Sequence, residues 1–129
     1  MLQSLMQPQE VEVFYIIPTI RKSLAQALKH QGMPQKNIAE LLSIQASTVS
    51  QYLNNKRAHT ITFPAYLERE IRQAATTIKT PTDVIRIIQT IIQHIKTSKT
   101  ICDIHRQVSK NLPKGCDACF IEQLVEVKP

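Results

Sequence analysis

Three cysteines and a histidine stand close to one another in the last third of the chain, within "ICDIHRQVSKNLPKGCDAC" (101–119). Cys102 and His105 are three residues apart, a spacing that puts both side chains on one face of a helix. Cys116 and Cys119 form a CxxC, whose two sulfurs commonly converge on one ion. The whole reads C-x2-H-x10-C-x2-C, two ligand pairs separated by a loop containing Pro113 and Gly115. Structural zinc takes a Cys3His set of this kind with tetrahedral geometry. An iron–sulfur cluster is the other candidate. Clusters mostly use four cysteines, but histidine can replace cysteine and raise the potential. A disulfide with one thiol left over, a redox dithiol or inert core cysteines would leave the matching spacing of Cys102 and His105 without a reason. Ligand chemistry favours one zinc ion per chain over one cluster. His30, His59 and His94 have no comparable partners in the sequence and read as surface residues.

A second constellation lies upstream. Residues 35–57, "QKNIAELLSIQASTVSQYLNNKR", have the pattern of a helix-turn-helix. That motif crosses two helices around a turn of three or four residues and needs a small side chain where they touch. Ala39 fills that place, and Ile38, Leu42, Ile44, Val49 and Tyr52 or Leu53 fall at the inward positions. Ser43-Ile44-Gln45 forms the turn, with Ser43 where glycine is common. The second helix, from about Ala46 to Asn54, turns short polar residues outward, as a helix entering the major groove of double-stranded DNA should. Gln51 can bind adenine bidentately, Ser47, Thr48 and Ser50 can reach either partner, and Ala46 or the Thr48 methyl can meet a thymine methyl. Asn55, Lys56 and Arg57 follow at the helix exit, where phosphates lie, and Arg21 and Lys22 are a second phosphate-contacting pair. Gln35 and Lys36 at the start of the first helix and Gln45 in the turn complete the DNA-facing set.

The charge is placed to match. The chain of 129 residues carries a net +6, of which residues 19–60 hold +5, against −2 for residues 1–18 and +3 for residues 61–129. Concentrated positive charge is the electrostatic footprint of a phosphate-binding surface.

The stretch "FYIIPTIRKSLAQALKHQGMPQKNIAELLSIQASTVSQYLNNKRA" resembles the lambda-repressor/Cro-like regulators. More narrowly, the chain is similar to archaeal-type transcriptional regulators with a PxxR first helix, an xxVSQYLxxKR recognition segment and a C-terminal cysteine cluster. The resemblance implies a five-helix head that includes residues 64–79 and binds promoter DNA sequence-specifically.

The elements that must position these residues are mainly α-helical: a lambda-repressor-like head followed by a small helical module with the Cys3His site. "EVEVFYIIP" (10–18) alternates Val11, Val13, Tyr15 and Ile17 and reads as either an extended arm or the lead-in to the first helix. From Thr19 the helix presents Ile20, Leu24, Ala27 and Leu28 and stops at Gly32, and Pro34 opens the next. "PAYLEREIRQAATTIK" (64–79) follows, and then "TPTDVIRIIQTIIQHIK" (80–96) with Thr82 as the expected N-cap. The expected organisation is an N-terminal arm or lead-in (1–18), a DNA-binding domain (19–79) and a dimerisation and metal-binding module (80–129). The isoleucine stripe of Ile85, Ile88, Ile91, Ile92 and Ile95, within residues 84–95, is either a homodimer interface or an internal packing face. A single head reads too few base pairs, so such proteins dimerise across half-sites about 34 Å apart, which favours the interface.

Several classes are excluded as expectations. No 18-residue apolar run exists, so no membrane span is expected, and no positively charged, then apolar leader is present. A cytoplasmic protein with reduced thiols fits. An enzyme is not expected: protein side chains fill the proposed metal positions and no glycine-rich phosphate loop occurs. The function expected is a dimeric repressor whose metal or cluster is structural or senses redox state or iron. The alternative is an antitoxin-like or architectural module that uses the same helices for protein contact, with a purely structural zinc.

Overall fold

The structure, a computed structural model, describes residues 6–109. It is mainly α, with no strand among the described residues. The helices are α1 (Pro8–Val11), α2 (Ile17–His30), α3 (Gln35–Leu42), α4 (Ala46–Leu53), α5 (Ala65–Ala75), α6 (Pro81–Lys96) and α7 (Thr100–Val108). A π-helical segment, Glu12–Ile16, joins α1 to α2 without a break.

The β-like alternation of residues 10–18 is therefore helical. A π turn contains one residue more than an α turn, and here that residue brings Val11 and Ile16, five apart, to the same buried side. Pro18 accounts for the widening. Its ring would clash with the carbonyl four residues back and it has no N–H to donate there. The Ile17 N–H bonds Glu12 O instead, and the Thr19 hydroxyl donates to Tyr15 O at 2.6 Å. Val13 and Phe14 are left facing outward, 58% and 62% exposed.

Three helix ends close in the same way. After α2, Gly32 has φ +95°, the Gly32 N–H bonds Lys29 O at 2.9 Å and the Met33 N–H bonds Leu28 O at 3.1 Å. This paired closure satisfies carbonyls that the helix end would orphan. After α3 the left-handed residue is Ser43 (φ 56°), with the Ile44 N–H on Ala39 O at 3.0 Å. After α4 it is Asn55 (φ 55°), with the Lys56 N–H on Gln51 O at 2.8 Å.

Helix α2 is the centre of the fold and packs on α3, α4 and α5. Ile20 and Leu24 are fully buried and Leu28 almost so. Helix α6 packs on α3, α5 and α7, and α7 returns to α1. Of the stripe residues, Ile88, Ile91, Ile92 and Ile95 are buried within the subunit, together with Val84, and Ile85 is not. Of the two roles open to that stripe, internal packing is the one the burial fits, and Ile85 alone of its large side chains is strongly exposed. The N-cap of α6 is Thr80, not Thr82. The Thr80 hydroxyl accepts from the Asp83 N–H at 3.2 Å, while the Asp83 carboxylate accepts from the Thr80 and Lys79 N–H groups at 3.1 and 3.0 Å. Those backbone donors hold the Asp83 pKa below its ordinary 3.8. Thr82 misses the cap because Pro81 takes the first helical position, which pushes the cap back by two residues.

A left-handed backbone costs a residue with a Cβ about 1–2 kcal/mol, part of which glycine gives back through its looser unfolded chain. Ser43→Gly is therefore expected to stabilise the protein by about 0.5–1 kcal/mol. Thermal denaturation should show Tm rising by a few degrees. An unchanged or lower Tm would mean that the Ser43 side chain compensates its own strain.

Candidate functional site

Helices α3 and α4 carry Gln35, Lys36, Ala46, Ser47, Thr48, Ser50 and Gln51 of the set expected to face DNA, and the turn Ser43-Ile44-Gln45 joins the two helices. Ile38, Ala39, Leu42, Val49 and Tyr52 are buried, and Ile44 and Leu53 are partly so. The inward positions of the pattern are thus inward in the structure. On the other side of α4, Ala46, Ser47 and Gln51 are exposed, and Thr48 and Ser50 are half-buried. The Ser47 hydroxyl donates to Gln45 Oε1 at 3.4 Å and the Asn54 amide donates to Ser50 Oγ at 3.3 Å, so part of this polar face is pre-arranged by bonds along the helix. In the first turn of α3, Lys36 is exposed and Gln35 half-buried.

The basic residues from two distant parts of the sequence come together at the α4 exit. The Lys22 ammonium donates to Asn55 Oδ1 and, at 3.5 Å, to Ala58 O. Arg21 and Arg57 both act on the Tyr52 phenol. Burial pushes that phenol's pKa up and the two guanidinium charges pull it back. Lys56 and Arg57 themselves are exposed. Arg21 is placed differently from the surface cation expected: it is half-buried, and its Nε lies inside the protein with no hydrogen-bond partner. It shares a cavity with Arg57.

At the other end of the chain, Cys102 and His105 lie on one face of α7, as their spacing requires, 5% and 4% exposed. Burial lowers the His105 pKa, which favours the neutral imidazole that binds metal. A thiol and a neutral imidazole side by side suit a borderline-soft ion such as zinc. Cys116 and Cys119, the other half of the set, lie outside the described residues. Among the described residues no three His, Cys, Asp or Glu side chains gather as an ion site.

Two contacts tie α7 to the rest of the protein and have no signature in the sequence. The Gln107 side chain forms a two-way clamp on the backbone of Thr62, accepting from the Thr62 N–H at 2.8 Å and donating to Thr62 O at 3.0 Å. The Tyr66 and Thr100 hydroxyls meet at 2.5 Å. His94, expected to stand alone at the surface, pairs through Nδ1 with Glu70 of α5, and Lys96 pairs with Glu12 at 3.0 Å. Only an alternation of polar and apolar residues is visible locally, and partners 24 to 84 residues away cannot be read from it.

No helix among the described residues is long and apolar enough to cross a membrane. Comparison with protein-family models, with curated proteins and with solved structures finds no match.

Proposed function

We propose that the chain is a sequence-specific DNA-binding transcriptional regulator, a dimeric repressor built on a lambda-repressor-like helix-turn-helix head, with a metal-organised C-terminal module. The observation that carries the reading is the α3–turn–α4 unit. It combines a buried small residue at Ala39, a left-handed Ser43 at the turn, an outward polar face on α4 and exposed Lys56 and Arg57 at the exit. Helix α4 would enter the major groove, with Gln51 reading adenine and Ser47, Thr48 and Ser50 reading neighbouring edges. Lys56, Arg57 and Lys22 would hold phosphates on either side and fix the register. Bound across a promoter, such a head would repress by occupying the site.

Repression by a dimer requires a second subunit at the neighbouring half-site. With most of the α6 stripe buried, the dimer contact proposed within residues 84–95 falls to the outward side of α6, where Ile85 is 62% exposed beside Gln89. In the C-terminal module, Cys102 and His105 would hold a zinc ion together with Cys116 and Cys119. Zinc there would fasten the following segment to α7, and an iron–sulfur cluster would add sensitivity to oxidants or iron.

In vitro selection of bound duplexes should yield a two-fold related site. On that site Gln51→Ala is expected to cost about 1–3 kcal/mol of discrimination at one base pair, with little effect on non-specific affinity. Lys56→Ala should instead weaken all sequences alike and reduce the slope of log K against log salt by about 0.9. If neither substitution alters DNA affinity, α4 is not the reading helix. Light scattering of the free protein and of its DNA complex should give a dimer in one or both, and Ile85→Lys should shift the free protein towards monomer. A strict monomer on a full site would remove the dimer from the proposal. Anaerobic purification should give a colourless protein with one zinc per chain. A visible absorption band would assign the site to a cluster, and an absence of both metals would overturn it.

A further inference from the structure

Between the π segment and the end of α4 lies a cavity of about 380 Å³, away from the base-reading residues of α4 and from Cys102 and His105. It is lined by Val13, Phe14 and Tyr15 of the π segment, by Pro18 and Arg21 of α2, and by Tyr52, Arg57 and Ala58 at and after the end of α4. No carboxylate lines it, so two guanidinium groups face the same space without a counter-charge in the wall. Arg21 Nε is enclosed by the protein and lacks a hydrogen-bond partner, although buried donors are nearly always satisfied. Its apolar lining is partly open, with Val13 and Phe14 standing out of the core. Ala58, at the rim, is held at φ 59°, a left-handed conformation that strains a residue with a Cβ and tends to occur where the backbone clamps a ligand.

We infer that this cavity is a binding site for a small organic anion, its carboxylate or phosphate between Arg21 and Arg57 and its apolar body against Phe14, Val13 and Pro18. A DNA phosphate fits the observations less well. The volume lies in the range of small-molecule sites, well above what one phosphate group fills, and half of the wall is hydrocarbon. Guanidinium forks match both carboxylate and phosphate bidentately, so the anionic head is fixed by charge and geometry while the body is selected by apolar contact. Resting on the regulator reading, the site has a regulatory consequence. A bound anion occupies Arg57, one of the residues proposed to hold DNA phosphate, and so competes with DNA.

The test separates the two parts. Without DNA, calorimetry and thermal shift with phenylacetate and phenyl phosphate should show saturable binding by at least one of them, and comparing the two identifies the head group. Inorganic phosphate should bind more weakly because it lacks the apolar body, and benzyl alcohol should not bind because it lacks the charge. Arg57→Gln, at an exposed position, should weaken binding about tenfold or more, equivalent to one charge-assisted contact. Arg21→Gln should do the same, and Phe14→Ser should weaken the aromatic anions while leaving inorganic phosphate unchanged. Equal binding of benzyl alcohol, equal binding of inorganic phosphate, indifference to Arg57→Gln, or no saturation below ~10 mM overturns the site. In a second assay the better ligand should displace operator DNA from the wild-type protein. Binding without displacement leaves the anion site standing and overturns only its regulatory consequence, and failure of the protein to bind any DNA tells against the regulator reading alone.

Discussion

One buried row on α2 determines where everything else can stand. Ile20 and Leu24 have no exposed surface, and Leu28 almost none, and α3, α4 and α5 all pack on the helix that carries them. Each such side chain contributes about 1.5–3 kcal/mol on leaving water, so the row is a large part of a marginal total stability. A second constraint follows from its length. For Val11 to join the same core, the chain must absorb Pro18 within a continuous helix, and the π segment does so. The widening aims Val13 and Phe14 outward beside Arg21. A packing requirement in the core thus produces an apolar wall at the surface.

The helix ends are as restrictive as the core. The chain has only two glycines, and one of them, Gly32, takes the first left-handed closure. The next two closures fall to Ser43 and Asn55, short polar residues that tolerate this conformation better than most. Both bracket α4, so the orientation of the helix proposed to read DNA is fixed by strained residues at either end. The backbone hydrogen bonds that close these ends, Ile44 on Ala39 and Lys56 on Gln51, start and finish within the same short unit. Its shape therefore depends little on the rest of the protein.

Much of this was legible in the sequence because it is local. The 3.6-residue spacing of Ile20, Leu24 and Leu28, the stop at Gly32, the inward set Ile38, Ala39, Leu42, Val49 and Tyr52, and the shared face of Cys102 and His105 all follow from spacing along one element. Where two local signals competed, spacing alone failed. The alternation of residues 10–18 imitates a strand because a π turn shifts the helical phase by one residue, and Pro81 moved the α6 cap from Thr82 to Thr80. The isoleucines of α6 show the other limit. Periodicity says which residues share a face, but not whether that face meets the same chain or another. Here α3, α5 and α7 pack on the helix and bury most of that face, leaving Ile85 exposed. The Arg21–Arg57 cavity was illegible for a further reason: its walls lie on residues 13 to 60, brought together only by tertiary packing.

The position of α7 joins the two ends of the proposed function physically. Its buried face carries Cys102 and His105, and its last turn carries Gln107, whose amide holds the backbone of Thr62 by two hydrogen bonds. Thr62 belongs to the segment that leaves α4 through Asn55, Lys56 and Arg57, and the same segment is held from α2 by Lys22 on Asn55 and Ala58. Near the start of α7 the Thr100 hydroxyl meets Tyr66 of α5. A helix held at both ends cannot shift along its axis without breaking one of these contacts or carrying the segment with it. The Tyr66–Thr100 bond is half-buried, so breaking it would leave a hydroxyl unsatisfied at about 1–3 kcal/mol, whereas water can replace the exposed Gln107–Thr62 bonds. The residues proposed to grip DNA phosphate are thus linked, through Thr62 and the segment after α4, to the helix that holds the thiol and imidazole.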